Sequence, residues 1–119
     1  MTLQEVKEIL DAQLLCGEEL LEHQVRTACG SDMMSDVLAY VKDQAVLLTG
    51  LMNQQVIRTA EMMDMVCVIF VRDKKPDAAI LELARQKDIA VMTTPHRMFT
   101  SCGLLYQAGL KGGLHHHEI

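Results

Sequence analysis

Aromatic side chains are scarce in this 119-residue sequence, which has no Trp, two Tyr and two Phe. Proteins that hold single-stranded nucleic acid on rows of stacked rings need many more. A formal net charge of −5 also denies the chain the basic face that a phosphate backbone requires, so no nucleic-acid partner is expected. No apolar run approaches the ~20 residues needed to span a bilayer. The opening Met-Thr-Leu-Gln-Glu-Val-Lys is not a secretory leader. No membrane partner is therefore expected, and the cytoplasm is the expected location. Cys16, Cys29, Cys67 and Cys102 form no C-x-x-C pair, which argues for thiols rather than a disulfide or zinc framework. Neither G-x-G-x-x-G nor G-x-x-x-x-G-K-[ST] occurs, so the two best-known phosphate-cradling fingerprints are absent.

Half of the residues are hydrophobic and about a quarter are charged, the balance of a globular domain. Nine Met take over volume-filling that aromatics would otherwise supply. Met is flexible, so these residues either fill the core or line an adaptable contact surface. The length suits one domain with an ordinary core. No linker or low-complexity stretch divides it.

The hydrophobic pattern alternates between short apolar runs and amphipathic segments. Thr2 with Glu5 forms a capping-box pattern opening a helix through about Leu10. Strands are predicted at Ala12–Cys16 and Gln24–Cys29, separated by a polar connection, Glu18–Glu22, that holds His23 beside it without an evident partner. Ser31 or Asp32 is placed to cap a helix over Met33–Lys42, with Met34, Val37, Leu38 and Val41 facing inward. Ala45–Thr49 reads as a buried strand, Gly50 as a turn, and Asn53 as the cap of a helix to Met63. Met65–Val71 is apolar throughout, as expected of a strand covered on both faces. Arg72 to Pro76 is a charged turn, with Pro76 suited to the first turn of a helix over Asp77–Lys87. Ile89–Met92 is the last strand. Thr94 as N-cap and Pro95 as first residue open a final helix to about Ala108, stopped by Gly109. These elements predict an α/β, three-layer sandwich: a mainly parallel sheet of four to five strands with helices on both faces. Residues 1–112 form the domain, and 113–119 a flexible tail.

In a parallel sheet the strand C-termini share one edge, and ligands bind there. Gly30-Ser31-Asp32, Thr49-Gly50, Arg72-Asp73-Lys74 and Thr93-Thr94 all fall on that edge. Helix N-termini and hydroxyls at these turns suit a phosphate or carboxylate, and Arg72, Lys74 or Arg58 can add positive charge. The alternative is that these are the ordinary caps and turns of any α/β domain. His96 is expected in the first turn of the last helix, as a solvated residue or a ligand donor. His115, His116 and His117 can bind a transition metal weakly, but adjacent residues on a tail preform no geometry, and no metal site is expected. Ser101-Cys102-Gly103 lies mid-helix, and no nucleophile, base and orienting group come together. Catalytic residues are therefore not assigned, and no cofactor is named.

Asp32-Met33-Met34-Ser35-Asp36-Val37-Leu38-Ala39, Leu47-Leu48-Thr49-Gly50, the run Val66–Phe70 and Ala90-Val91-Met92-Thr93-Thr94 together resemble the DRTGG domain family. The resemblance covers about residues 2–112. It implies a fold similar to the N-terminal domain of HPr kinase/phosphorylase, and a regulatory or ligand-sensing role, since such domains accompany CBS domains. Thr49, Gly50, Asp32 and Ser35 carry the motif. Leu51-Met52-Asn53 stands where many members have Gly-Asp-Arg, and Val71-Arg72-Asp73 where Thr-Gly-Gly is common. The resemblance implies no catalytic set, and a phosphotransfer reading lacks a P-loop in this sequence.

The expected function is a non-enzymatic regulatory module. It would bind a small anionic metabolite or nucleotide through Thr49, Gly50 and Asn53, flanked by Asp32, Ser35, Thr93 and Thr94. The alternative is a protein–protein adaptor or homodimerisation module. In that case Met33, Met34, Met52, Met62 and Met63 supply apolar contact surface near the helix ends. A homodimer is the expected assembly under either reading.

Overall fold

Strict alternation of side chains organises the molecule. In β3 (Ala45–Thr49), Ala45 and Leu47 pack into one apolar cluster while Val46 and Leu48 pack into another. In β4 (Cys67–Phe70), Val68 and Phe70 join the first cluster, and Cys67 and Ile69 the second. Successive side chains on a strand point to opposite faces. A strand apolar at every position therefore needs cover on both sides. Helices α2 (Met34–Leu38), α3 (Gln54–Met62) and α4 (Ala78–Gln86) cover one face through Val37, Val56, Ile57, Ala60, Ile80 and Ala84. Helices α1 (Leu3–Ile9) and α5 (Met98–Gln107) cover the other through Leu3, Val6 and Leu105. The result is the expected α/β/α sandwich. The structure is a computed structural model that describes residues 1–39 and 44–113.

The sheet has five strands in the order β1-β5-β4-β3-β2, with β1 at Gln13–Cys16, β2 at Thr27–Gly30 and β5 at Ala90–Thr93. Strands β2 to β5 run parallel, and β1 closes the β5 edge antiparallel, with a bulge between Leu14 and Cys16. Register brings Thr49, Phe70 and Thr93 into one row, and Ser31 N–H donates to Leu48 C=O at 3.0 Å just beyond β2. The four parallel strands thus end together, as the sequence led us to expect.

Several boundaries differ, each for a local reason. The second strand starts at Thr27 instead of Gln24 because the preceding segment is bound to α1. Leu3 and Gln4 N–H donate to the carbonyls of His23 and Leu21 at 2.9 and 2.8 Å, satisfying donors that a helix N-terminus cannot pair internally. His23, expected to be without a partner, has its Nε2 2.6 Å from Gln44 Oε1. The capping box of Thr2 and Glu5 forms as expected.

Helix α2 is capped by neither Ser31 nor Asp32; its N-cap is Met33, with no side-chain cap bond. Met33 N–H instead donates to Ser31 Oγ at 3.0 Å, a local turn of the kind Ser favours. Val37 is buried as expected, whereas Leu38 is exposed. Val41 and the expected helix end at Lys42 lie outside the described residues, as do His115–His117.

Asp77 caps α4, accepting from Ile80 N–H at 3.0 Å, and Pro76 precedes the cap instead of entering the helix. An Asp oxygen satisfies a terminal donor, which Pro cannot. The last helix begins at Met98 with Arg97 as N-cap, not with Thr94 and Pro95. Thr94 is fully buried, and its hydroxyl donates to the Leu10 carbonyl at 2.6 Å, one of the last carbonyls of α1. His96 accordingly precedes the helix. Gly109 ends α5 with φ +114°, as expected of a helix stop. The layer contact between α5 and β2 depends on Gly30, where an added Cβ would come within 2.5 Å of Cys102 Sγ.

A candidate ligand cleft at the strand C-terminal edge

The turn after β3 is held shut by a carboxylate from the turn after β2. Asp32 Oδ1 accepts from Gly50 N–H at 2.7 Å and from the Thr49 hydroxyl at 3.0 Å. Thr49 Oγ1 in turn accepts from Leu51 N–H at 3.1 Å. Across β4, Lys74 Nζ donates to the Gly50 carbonyl at 2.8 Å, and the Thr93 hydroxyl donates to the Lys74 carbonyl at 2.7 Å. Three turns are thus tied into one frame. Arg72 and Asp73 sit in it with φ of +63° and +57°, left-handed conformations uncommon for residues other than Gly. Arg72 N–H donates to the His96 carbonyl at 2.9 Å and Asp73 N–H to the Thr94 carbonyl at 2.8 Å, which fixes that strained pair against the next turn.

Above this frame opens a cleft of about 450 Å³, lined by Gly30, Ser31, Asp32, Gly50, Val71, Arg72, Arg97, Met98 and Phe99. Gly50 forms its floor. A Cβ there would lie 3.4 Å from Arg72 Nη2 and 3.6 and 3.7 Å from the two Asp32 oxygens, so a guanidinium and a carboxylate both pack over this glycine. Among the described residues, no ion pair joins Arg72 to Asp32, and neither Arg72 nor Arg97 has a side-chain hydrogen-bond partner. Helix α5 starts at the cleft wall with no side-chain cap, leaving its first N–H groups directed toward an end where the helix dipole favours anions.

Of the residues singled out in the sequence, Asp32 and Gly50 line this cleft, and Thr49 lies directly behind them, fully buried. Asn53 caps α3 by accepting from Val56 N–H at 3.3 Å and does not reach the cleft. Ser35 lies exposed within α2, and Thr93 and Thr94 are buried and bonded into the frame. Arg97 and Phe99 escaped the sequence reading. The pattern that marks them is an Arg and an aromatic just after a strand end, in a chain with very few aromatics.

Burial disfavours the thiolate form at three of the four cysteines. Burial pushes the Cys67 thiol far above its ordinary range, and burial likewise raises Cys16 and Cys102. None of the four cysteines is in a disulfide. Among the described residues no three His, Cys, Asp or Glu side chains gather as metal ligands, and no helix is long and apolar enough to cross a membrane. Of the Met residues offered as contact surface, Met33 and Met62 are exposed, whereas Met34, Met52 and Met63 are partly buried against the core.

This arrangement of strands and helices is shared with a solved structure. It is similar to the crystal structure of the CBS and DRTGG domains of the regulatory region of Clostridium perfringens pyrophosphatase, complexed with its activator, diadenosine tetraphosphate. The TM-score is 0.71 at 20% identity, over 90% of this chain and 46% of that one, so the likeness is one of fold and this chain spans about half of that protein's resolved length. No curated protein matches the sequence. The family model of the DRTGG domain matches residues 5–108. With nearly the whole sandwich inside that match, the chain belongs to the DRTGG domain family.

Proposed function

We propose that this domain is a non-enzymatic regulatory module that senses a small anionic ligand in the cleft over Gly50. The observation that carries the reading is a pair of guanidinium groups, Arg72 and Arg97, without side-chain partners among the described residues and opening on one cleft of about 450 Å³. Ligand sites typically occupy about 300–1,000 Å³, and Arg is suited to planar, bidentate contact with phosphate or carboxylate. The regulatory region of the clostridial pyrophosphatase, which combines CBS and DRTGG domains, binds a nucleotide activator; a sensing role here is consistent with that. The sequence assigns the cradle to Thr49, Gly50 and Asn53. The Thr49 and Gly50 donors are already taken by Asp32 and Asn53 caps α3, so the role proposed for these residues is to hold the frame while the arginines meet the anion.

A thermal-shift and calorimetry panel of pyrophosphate, acetyl phosphate, coenzyme A and nucleotides tests the reading. A ligand at about 100 times its Kd adds about 2.7 kcal/mol, on the order of 10 °C in Tm for a domain of this size. At least one phosphorylated compound should reach that shift, and Arg72→Ala or Arg97→Ala should weaken it about tenfold or more. A flat panel, or affinity untouched by both substitutions, sinks the proposal.

A second reading has its own observation. Phe99 and Tyr106 are 89% and 63% exposed, and with Cys102 and Gly103 they line an apolar surface of α5. Self-association or an adaptor role through that helix predicts a dimer in sedimentation at micromolar concentration, dissociated by Tyr106→Glu.

A further inference from the structure

We propose that the ligand is a nucleoside phosphate, with its base on Phe99, its phosphate between Arg72 and Arg97, and its ribose hydroxyls toward Asp32. The inference rests on the cleft reading and adds the ligand's chemical class. Three features of the cleft argue for a ligand with more than negative charge.

The first is Phe99. This chain has four aromatic residues in all, and one of them stands 89% exposed on the cleft rim. An aromatic face beside cationic groups is what a nucleobase needs, because stacking works with any base through its π-face. The second is Asp32. Its Oδ1 is taken by Thr49 and Gly50, but its Oδ2 carries no hydrogen bond among the described residues, and Asp32 lines the cleft. A free carboxylate oxygen repels a bare polyanion and accepts from hydroxyl groups, as an acidic side chain does toward ribose in dinucleotide sites. The third is size, since a cleft of about 450 Å³ is far larger than inorganic phosphate requires. The apolar side chains of Val71 and Met98 offer no donors to a base edge, so the chemistry favours stacking without strong choice among bases.

Calorimetry on the intact chain with ADP, ribose 5-phosphate and pyrophosphate tests this. ADP should bind about tenfold or more tightly than either of the others, the range expected of one stacked base. Phe99→Ala should erase that advantage without changing affinity for ribose 5-phosphate, and Phe99→Trp should preserve it. Because Phe99 is solvent-exposed, both variants should keep the wild-type Tm. Equal affinities for the three probes, with Phe99→Ala silent, overturn the nucleoside assignment and leave the anionic cleft in place. Binding of none of them overturns both. If Phe99→Ala dissociates a dimer and leaves ADP affinity unchanged, the ring belongs to self-association and the assignment falls.

Discussion

The turns after β3 and β5 sit at the same sheet edge and treat their polar groups in opposite ways. After β3, the turn is closed internally: Gly50 N–H and the Thr49 hydroxyl donate to Asp32, Leu51 N–H donates to Thr49 Oγ1, and Asn53 Oδ1 accepts from Val56 N–H. After β5, Thr94 is likewise taken by the Leu10 carbonyl, but Arg97, the uncapped start of α5 and Phe99 are left facing solvent. One turn is a joint and the other an opening. Small polar residues at strand ends pair readily with nearby backbone, so they report how the edge is closed. Long cationic and aromatic side chains that remain without partners report where something else can bind.

The contrast breaks most readily at Asp32. Asp32→Ala leaves the buried Gly50 N–H and Thr49 hydroxyl without an acceptor, at a cost of about 2 kcal/mol or more, read as a lower urea midpoint at unchanged m-value. A loss below about 0.5 kcal/mol would mean that water replaces the carboxylate and the joint is not structural. Lys74→Met removes the ammonium from the Gly50 carbonyl and should cost about 1–2 kcal/mol. Arg97→Ala, on the open turn, should change stability by no more than about 0.5 kcal/mol while weakening ligand binding. A larger loss would make Arg97 part of the frame. The smallest effect is a pH dependence far from the cleft. Hydrogen bonds from the Thr2 N–H and hydroxyl hold the Glu5 carboxyl below its usual pKa. The unfolded chain binds that proton more readily, so the contribution is present above the ordinary carboxylate range and is lost as pH falls through the lowered value. Glu5→Ala should therefore narrow its stability gap to wild type in acid.

Much of the fold was legible because its signals are local. The apolar run Ala45–Thr49 and the caps Thr2 and Asn53 need only neighbours in sequence, and the structure keeps all three. Errors arose where a distant group competed for a polar side chain. Thr94 is a good cap by type, yet Leu10, 84 residues away, has a carbonyl that claims it. Asp32 is a good cap by position, yet Gly50, 18 residues on, binds it more closely. The antiparallel placement of β1 beside β5 was equally hidden, since a strand's own pattern does not say which neighbour it pairs with.

By itself, then, the sequence determined the α/β class, the order of elements and the edge where parallel strands would end, because periodicity and turn chemistry are properties of short windows. The partners of each polar group were decided only in three dimensions. Packing brought Asp32 to Gly50 and Lys74 across β4, and left Arg72, Arg97 and Phe99 around one cleft. Which donors remain free for a ligand is what is left after every closer partner has been satisfied, and that remainder exists only once the chain is folded.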